Sequence, residues 1–271
     1  MSQPTFDSDA ILRAMEENLW ALWSRFGKGD GCTLHDGEGA LWFETPLPLL
    51  PYNGVLRFSQ RADVDQAIDH IFRTFRQRQV PFMWLLHPTA APPDLDQRLV
   101  ARGFQQAETL HGMWMDLEKF SGEDAQPEGF EIREMRAEKD FDGLMELVAW
   151  RWEVPSALQA QLLKFRNPFE LGVTGRTLRC WIAWRGSEPV AKLILNCDCG
   201  AAGVYAVATK PSARGSGLGR ALTMRALTTA RKEGSSCFHS ITLIRSVPCA
   251  MMCIVSSTRS IRLIIVSVPT W

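Results

Sequence analysis

Apolar positions change period several times along this chain, and the changes mark out its elements. Leu12, Leu19, Trp20 and Trp23 fall at helical spacing, which predicts an early helix with a packed apolar face. Asp63 to Gln79 is helical by the same periodicity, and Phe82-Met83-Trp84-Leu85-Leu86 is a short apolar strand. Pro92-Pro93-Asp94-Leu95 opens a helix that ends at Arg102-Gly103-Phe104, after which Gly112 to Leu117 returns as a strand. From Glu118 to Gly129 the chain is polar and rich in breakers, which predicts a domain at 1–120, a linker at 121–129 and a second domain at 130–271.

The second half follows a clear succession. Phe130-Glu131-Ile132-Arg133 alternates as a strand, and Leu144, Leu147, Val148 and Trp152 define a helix. Pro155 then opens a second helical run through Leu158, Leu162 and Phe165. Cys180 to Trp184 is extended, Arg185 to Pro189 turns, and Val190 to Leu195 returns as the partner strand. Asn196 to Gly200 turns again into Gly203 to Ala208, apolar enough for a central strand. Strands interleaved with helices predict an α/β class with a mixed sheet.

Composition narrows the functions open to this fold. The 271 residues carry 30 basic and 30 acidic side chains, and a formal charge of zero argues against nucleic-acid binding driven by phosphate contacts. An apolar fraction of 46% with 22% charged residues is that of a globular protein. Seven Cys is an odd number and Met1 to Asp9 has no secretory pattern, so a reducing cytoplasm is expected. Cys197-Asp198-Cys199 lacks the second ligand cluster of a zinc site, and no metal is expected. No apolar run reaches the roughly 18 residues of a membrane span, and no membrane partner is expected.

The strongest chemical signal follows the Gly203–Ala208 strand. Thr209-Lys210-Pro211-Ser212-Ala213-Arg214-Gly215-Ser216-Gly217-Leu218-Gly219-Arg220 precedes a helical run that lasts to Gly234. Gly215, Gly217 and Gly219 permit close backbone approach to a ligand, and the N–H groups of a new helix face any anion placed before them. Arg214 and Arg220 add positive charge on either side. A dinucleotide fingerprint would need its third glycine one residue later, and a nucleoside-triphosphate loop would need a Lys that is absent.

This segment resembles the acyl-CoA-binding signature [QR]-x-x-G-x-[GA] of the GCN5-related N-acetyltransferase (GNAT) superfamily, which Arg214, Gly217 and Gly219 match. The element order from Phe130 to about Gly234 is also similar to that family. The resemblance implies the acyl-CoA N-acyltransferase fold, acetyl-CoA as co-substrate and an amine, small-molecule or peptide, as acceptor. It places Val207, Ala208 and Thr209 at the thioester, and the turn residues Arg214, Gly215, Ser216, Gly217, Leu218, Gly219 and Arg220 around the pyrophosphate. The first half resembles a degenerate second copy that keeps a Gly-Phe turn but lacks R-x-x-G-x-G, so two GNAT-like domains are expected.

Departures from the family pattern leave the catalytic groups unassigned. The strand offers Val204, Tyr205 and Ala206 where many members carry a Glu base, and the only Tyr residues are Tyr52 and Tyr205. Trp152, Glu153 and Tyr205 are the candidates for acceptor contact. A non-catalytic acyl-CoA-binding or regulatory protein is the alternative reading. From Ser235 onward the chain has no Asp, Glu, Lys or Gly, which fits either a shifted reading frame or a diverged tail. In the second case strands are expected over 240–244 and 261–268, with a helix over 248–257.

Overall fold

The computed structural model describes residues 8–106, 108–122, 126–169, 175–235, 237–242 and 257–266. The first half runs α1 (Ser8–Ser24), β1 (Thr33–Asp36), β2 (Ala40–Glu44), β3 (Gly54–Phe58), α2 (Val64–Arg78), β4 (Phe82–Leu86), α3 (Leu95–Val100) and β5 (Glu108–Asp116). The second runs β6 (Glu131–Glu134), α4 (Glu138–Arg151), α5 (Ser156–Leu162), β7 (Leu178–Arg185), β8 (Glu188–Asp198), β9 (Ala201–Thr209), α6 (Leu218–Lys232), β10 (Cys237–Thr242) and β11 (Ser257–Val266). The helix expected over 248–257 lies outside the described residues apart from Ser257, which opens β11.

These elements form two compact units, and neither is continuous in sequence. One comprises Trp23–His111, Val154–Pro168 and Ser260–Trp271. Its strands follow the order β1-β2-β3-β4-β11. β11 runs antiparallel to β4, with Arg262 opposite Leu86 and Val266 opposite Phe82, so the last described strand of the tail pairs with a strand of the first half. The core under α2 is aromatic: Phe75 stacks on Phe82 at 4.3 Å, and Trp84 and Phe104 meet edge to face. Gly103 has φ +87° and lets the chain reverse so that the Phe104 N–H reaches Leu99 O, which seats the Phe104 ring in that core.

The other unit comprises Met1–Leu22, Gly112–Glu153 and Phe169–Arg259, and its strands follow β5-β10-β9-β8-β7-β6. β6 to β9 form an antiparallel meander, and β9 to β10 is the parallel step. Alternation along the meander separates two faces. Trp181, Ala191, Leu193, Leu195, Ala202 and Val204 pack against α6, where Leu222 and Leu227 are fully buried, each contributing about 2 kcal/mol by removal of apolar area from water. On the opposite face of the meander Gly143 of α4 lies close enough to Trp184 that a Cβ there would collide with the indole.

α1 belongs to this second unit through Asn18. The fully buried Asn18 side chain donates Nδ2–H to the carbonyl oxygens of Asn196, Asp198 and Ala201 at 3.1, 2.8 and 3.0 Å, around the β8–β9 turn. Its Oδ1 accepts from the Tyr205 hydroxyl at 2.7 Å. Gly203 sits beneath this pair, and a Cβ there would strike both Asn18 Oδ1 and the Tyr205 ring.

Candidate functional site

β9 leaves regular geometry at the point where chemistry is expected. Its pairing with β8 is regular from Asp198↔Ala201 to Ile194↔Tyr205, then shifts, so that Lys192 faces Ala208. The extra length is a bulge at Ala206, whose φ of +53° is left-handed and whose methyl is exposed. The registered pairing with β10 runs from Ala201 to Val204. Val207, Ala208 and Thr209 therefore lie beyond the bulge and beyond the residues registered against β10. Bulges that re-aim backbone groups at a strand end are a recurring feature of active sites.

The glycine turn begins one residue after β9. Lys210 N–H bonds to Val190 O, and Ala213 N–H bonds back to Lys210 O through a single helical turn at Pro211–Ala213. Arg185 donates to Ser212 O at 2.8 Å and Ser216 Oγ donates to Ala213 O at 2.6 Å, so the loop is braced from outside and within. Gly215 and Gly217 have φ of +81° and +83°, and a Cβ on either would meet nothing. These glycines serve the left-handed backbone, and the space in front of them is open. Gly217 is also the N-cap of the 15-residue α6, so the first-turn N–H groups through Arg220 have no carbonyl four residues back to bond.

Positive charge borders this turn. Arg214 and Arg220 are both exposed, and Arg214 Nε donates to Thr209 O at 3.3 Å, which folds the guanidinium back over the strand end. Lys210 is tied to Glu146 and Glu188 at 2.8 and 3.2 Å, so its charge is balanced locally. A bent run of backbone donors, a helix N-terminus and two flanking guanidinium groups can hold a doubly charged phosphate ester.

The residues singled out as substrate contacts occupy different surroundings. Trp152 is 48% exposed at the C-terminal end of α4, with the Arg151 guanidinium 5.3 Å from its ring centre. Glu153 follows in a left-handed conformation, φ +50°, and is exposed. Among the described residues neither forms a hydrogen bond or ion pair with β9 or the glycine turn. Tyr205 is only 6% exposed, its hydroxyl hydrogen is given to Asn18 Oδ1, and burial pushes its ionisation well above the ordinary phenol range.

Two residues of this unit have no counterpart in the sequence motifs. Lys192 on β8 is 1% exposed, and its Nζ donates to Ala206 O at 2.9 Å, on the bulge itself. Burial pushes its ionisation down to about 8, and the thiol of Cys180, itself raised to about 12 by burial, lies close enough to act on it. The sequence signal is a single charge inside the apolar run Val190 to Leu195. Asn18 is the other, an amide that follows Glu16 and Glu17 in α1. Among the described residues no group of three or more His, Cys, Asp or Glu could hold a metal ion, and no helix is long and apolar enough to cross a membrane.

Comparison with known proteins bears on both units. Residues 141–248 match the model of the acetyltransferase (GNAT) family. No curated protein matches the chain in sequence. Among solved structures, a GCN5-related N-acetyltransferase from Kribbella flavida is similar, at 15% identity and TM-score 0.66, over 96% of each chain. A tandem GNAT protein from the clavulanic acid biosynthesis pathway is similar at 13% identity and TM-score 0.57, over 94% of this chain and 95% of that one. A GCN5-related N-acetyltransferase from Sphaerobacter thermophilus reaches TM-score 0.53 at 12% identity, over 95% and 93% of the two chains. The fold is that of the acyl-CoA N-acyltransferases, and coverage of nearly the whole chain agrees with two GNAT-like domains.

Proposed function

We propose that this chain, a member of the GNAT superfamily through residues 141–248, transfers the acetyl group of acetyl-CoA to the amine of an acceptor. The observation that carries the proposal is the continuous path from the Ala206 bulge to the two left-handed glycines at the N-terminus of α6. A diphosphate held by the turn at 214–220 leaves the pantetheine arm to run back along β9, with the thioester at Val207, Ala208 and Thr209. Nothing about that reach requires a special side chain, since the backbone supplies the donors.

In this reading a neutral amine attacks the thioester carbon, a C–N bond forms, and the carbonyl electrons move onto oxygen beside the β9 amides. Collapse breaks the C–S bond, coenzyme A leaves as thiolate, and the amine proton passes to water and then to the thiolate. Tyr205 is not assigned as the acid, because its hydroxyl is already donated and enclosed. Trp152 and Glu153 are proposed as acceptor contacts on the strength of their exposure at the end of α4. Thiol release from acetyl-CoA over a panel of primary amines tests the activity: turnover with any member supports it, and tight binding without turnover on every amine would favour a non-catalytic acyl-CoA-binding protein.

A further inference from the structure

The lysine behind the bulge calls for an account beyond the proposed reaction. Lys192 ranks among the largest fully enclosed side chains of the protein, and among the described residues no carboxylate pairs with it. Burying an ammonium costs several kcal/mol after relaxation, and a Met of similar length would fill the same volume. Its ammonium donates a hydrogen bond to one backbone oxygen, that of Ala206. That oxygen belongs to the peptide on which β9 departs from regular pairing.

Geometry makes this contact consequential. The Ala206–Val207 peptide is trans and planar, so its N–H points opposite to its C=O and therefore away from the ammonium. Lys192 approaches from the face of the meander that does not pack on α6, since its neighbours Ala191 and Leu193 are the ones in the α6 core. The Val207 N–H thus points to the side of the peptide opposite the ammonium. A cation bonded to the oxygen of an amide draws electron density from the nitrogen, and the N–H becomes a stronger donor.

We propose that Lys192 is a positioning residue that fixes and polarises the Ala206–Val207 peptide, so that the Val207 N–H stabilises the oxyanion formed on the acetyl carbonyl. The inference rests on the acetyl-CoA reading above. It assigns to a buried side chain, which never touches substrate, part of the electrostatic stabilisation for which no side chain of β9 is available. Enclosure strengthens the effect, because water cannot screen the charge.

The test uses the full chain with acetyl-CoA carrying carbon-13 at the carbonyl, followed by isotope-edited infrared difference spectroscopy. In the wild type the carbonyl band of bound acetyl-CoA should shift to lower wavenumber than in solution. In Lys192→Met the band should move back toward its solution position, kcat should fall by about 10–100-fold, and the Kd for coenzyme A should stay within about threefold. Lys192→Gln, which keeps a neutral donor and guards against a folding defect in the first variant, should lie between the two. An unchanged band and kcat in both variants would overturn the role of Lys192 while leaving the acetyl-CoA site intact. A wild type that binds no coenzyme A at all would overturn the site itself, and the role of Lys192 with it.

Discussion

The hydroxyl of Tyr205 and the amide of Asn18, separated by 187 positions in sequence, meet at 2.7 Å inside one compact unit. The same amide reaches three carbonyls around the β8–β9 turn. An early helix is thereby fastened to the strand that carries the bulge, and the one tyrosine near the site is used for structure. Replacing Tyr205 by Phe should cost about 1 kcal/mol of stability and leave the acetyl-transfer rate within about threefold. Asn18→Ala, which strips partners from several buried groups at once, should cost about 2–4 kcal/mol. Denaturant unfolding and steady-state rates check both, and a large loss of kcat in Tyr205→Phe with stability intact would show that the phenol acts in the chemistry.

Gly203 lies under that pair without a left-handed backbone, so its requirement is one of space. A methyl there would displace Asn18 Oδ1 and the Tyr205 ring together. Gly203→Ala should therefore destabilise by about 1–3 kcal/mol. Adding Tyr205→Phe, which removes the hydroxyl atom that the methyl meets, should recover part of the loss. Purely additive losses in the double variant would mean that the hydroxyl is not what the methyl meets.

Lys192 also leaves a signature in the pH dependence of stability. Its folded ionisation is depressed to about 8 from an ordinary 10.5, first by burial, with Cys180 raising it and Arg151 lowering it. Between pH 8 and 9 the unfolded chain keeps the proton that the folded chain sheds, so unfolding free energy rises with pH, by up to about 1 kcal/mol over that unit. The buried Cys180 thiol, held up at about 12, works in the opposite direction from about pH 8 upward, because the unfolded thiol sheds its proton there. Denaturant titrations at pH 8 and pH 9 should show this gain as a widening difference between the wild type and Lys192→Met, since the raised thiols of Cys180, Cys197 and Cys199 oppose it in both proteins. Equal slopes in the two proteins would mean that the side chain is not desolvated.

Much of this architecture was legible from residue pattern, for identifiable reasons. The strand, turn and helix around Gly215, Gly217 and Gly219 stood out because alternate glycines precede an apolar helical run; of the three, Gly215 and Gly217 have left-handed φ and Gly219 lies in the first turn of α6. The bulge was not legible, because alanine at 206 carries no mark of a left-handed conformation. Nor was the partner of β11: alternation tells which face of a strand is buried and is silent about which neighbour it pairs with. The pairing of a tail strand with β4 is set by tertiary contacts that its alternation does not encode. Lys192 is a single charge within the apolar run Val190 to Leu195, whereas Asn18 follows Glu16 and Glu17 with nothing in the pattern to set it apart, and its partners lie nearly 190 positions away.

The most direct measurement of the central claim is calorimetric titration of the full chain with acetyl-CoA, repeated with Gly217→Glu. The left-handed backbone at 217 tolerates few side chains, and a carboxylate there would also face the diphosphate with like charge. The wild type should bind one equivalent, with the heat suppressed by excess coenzyme A, and the variant should lose at least about 100-fold in affinity while remaining folded. Binding of equal strength in both proteins, or no heat in the wild type, would contradict a diphosphate seated on the glycine turn.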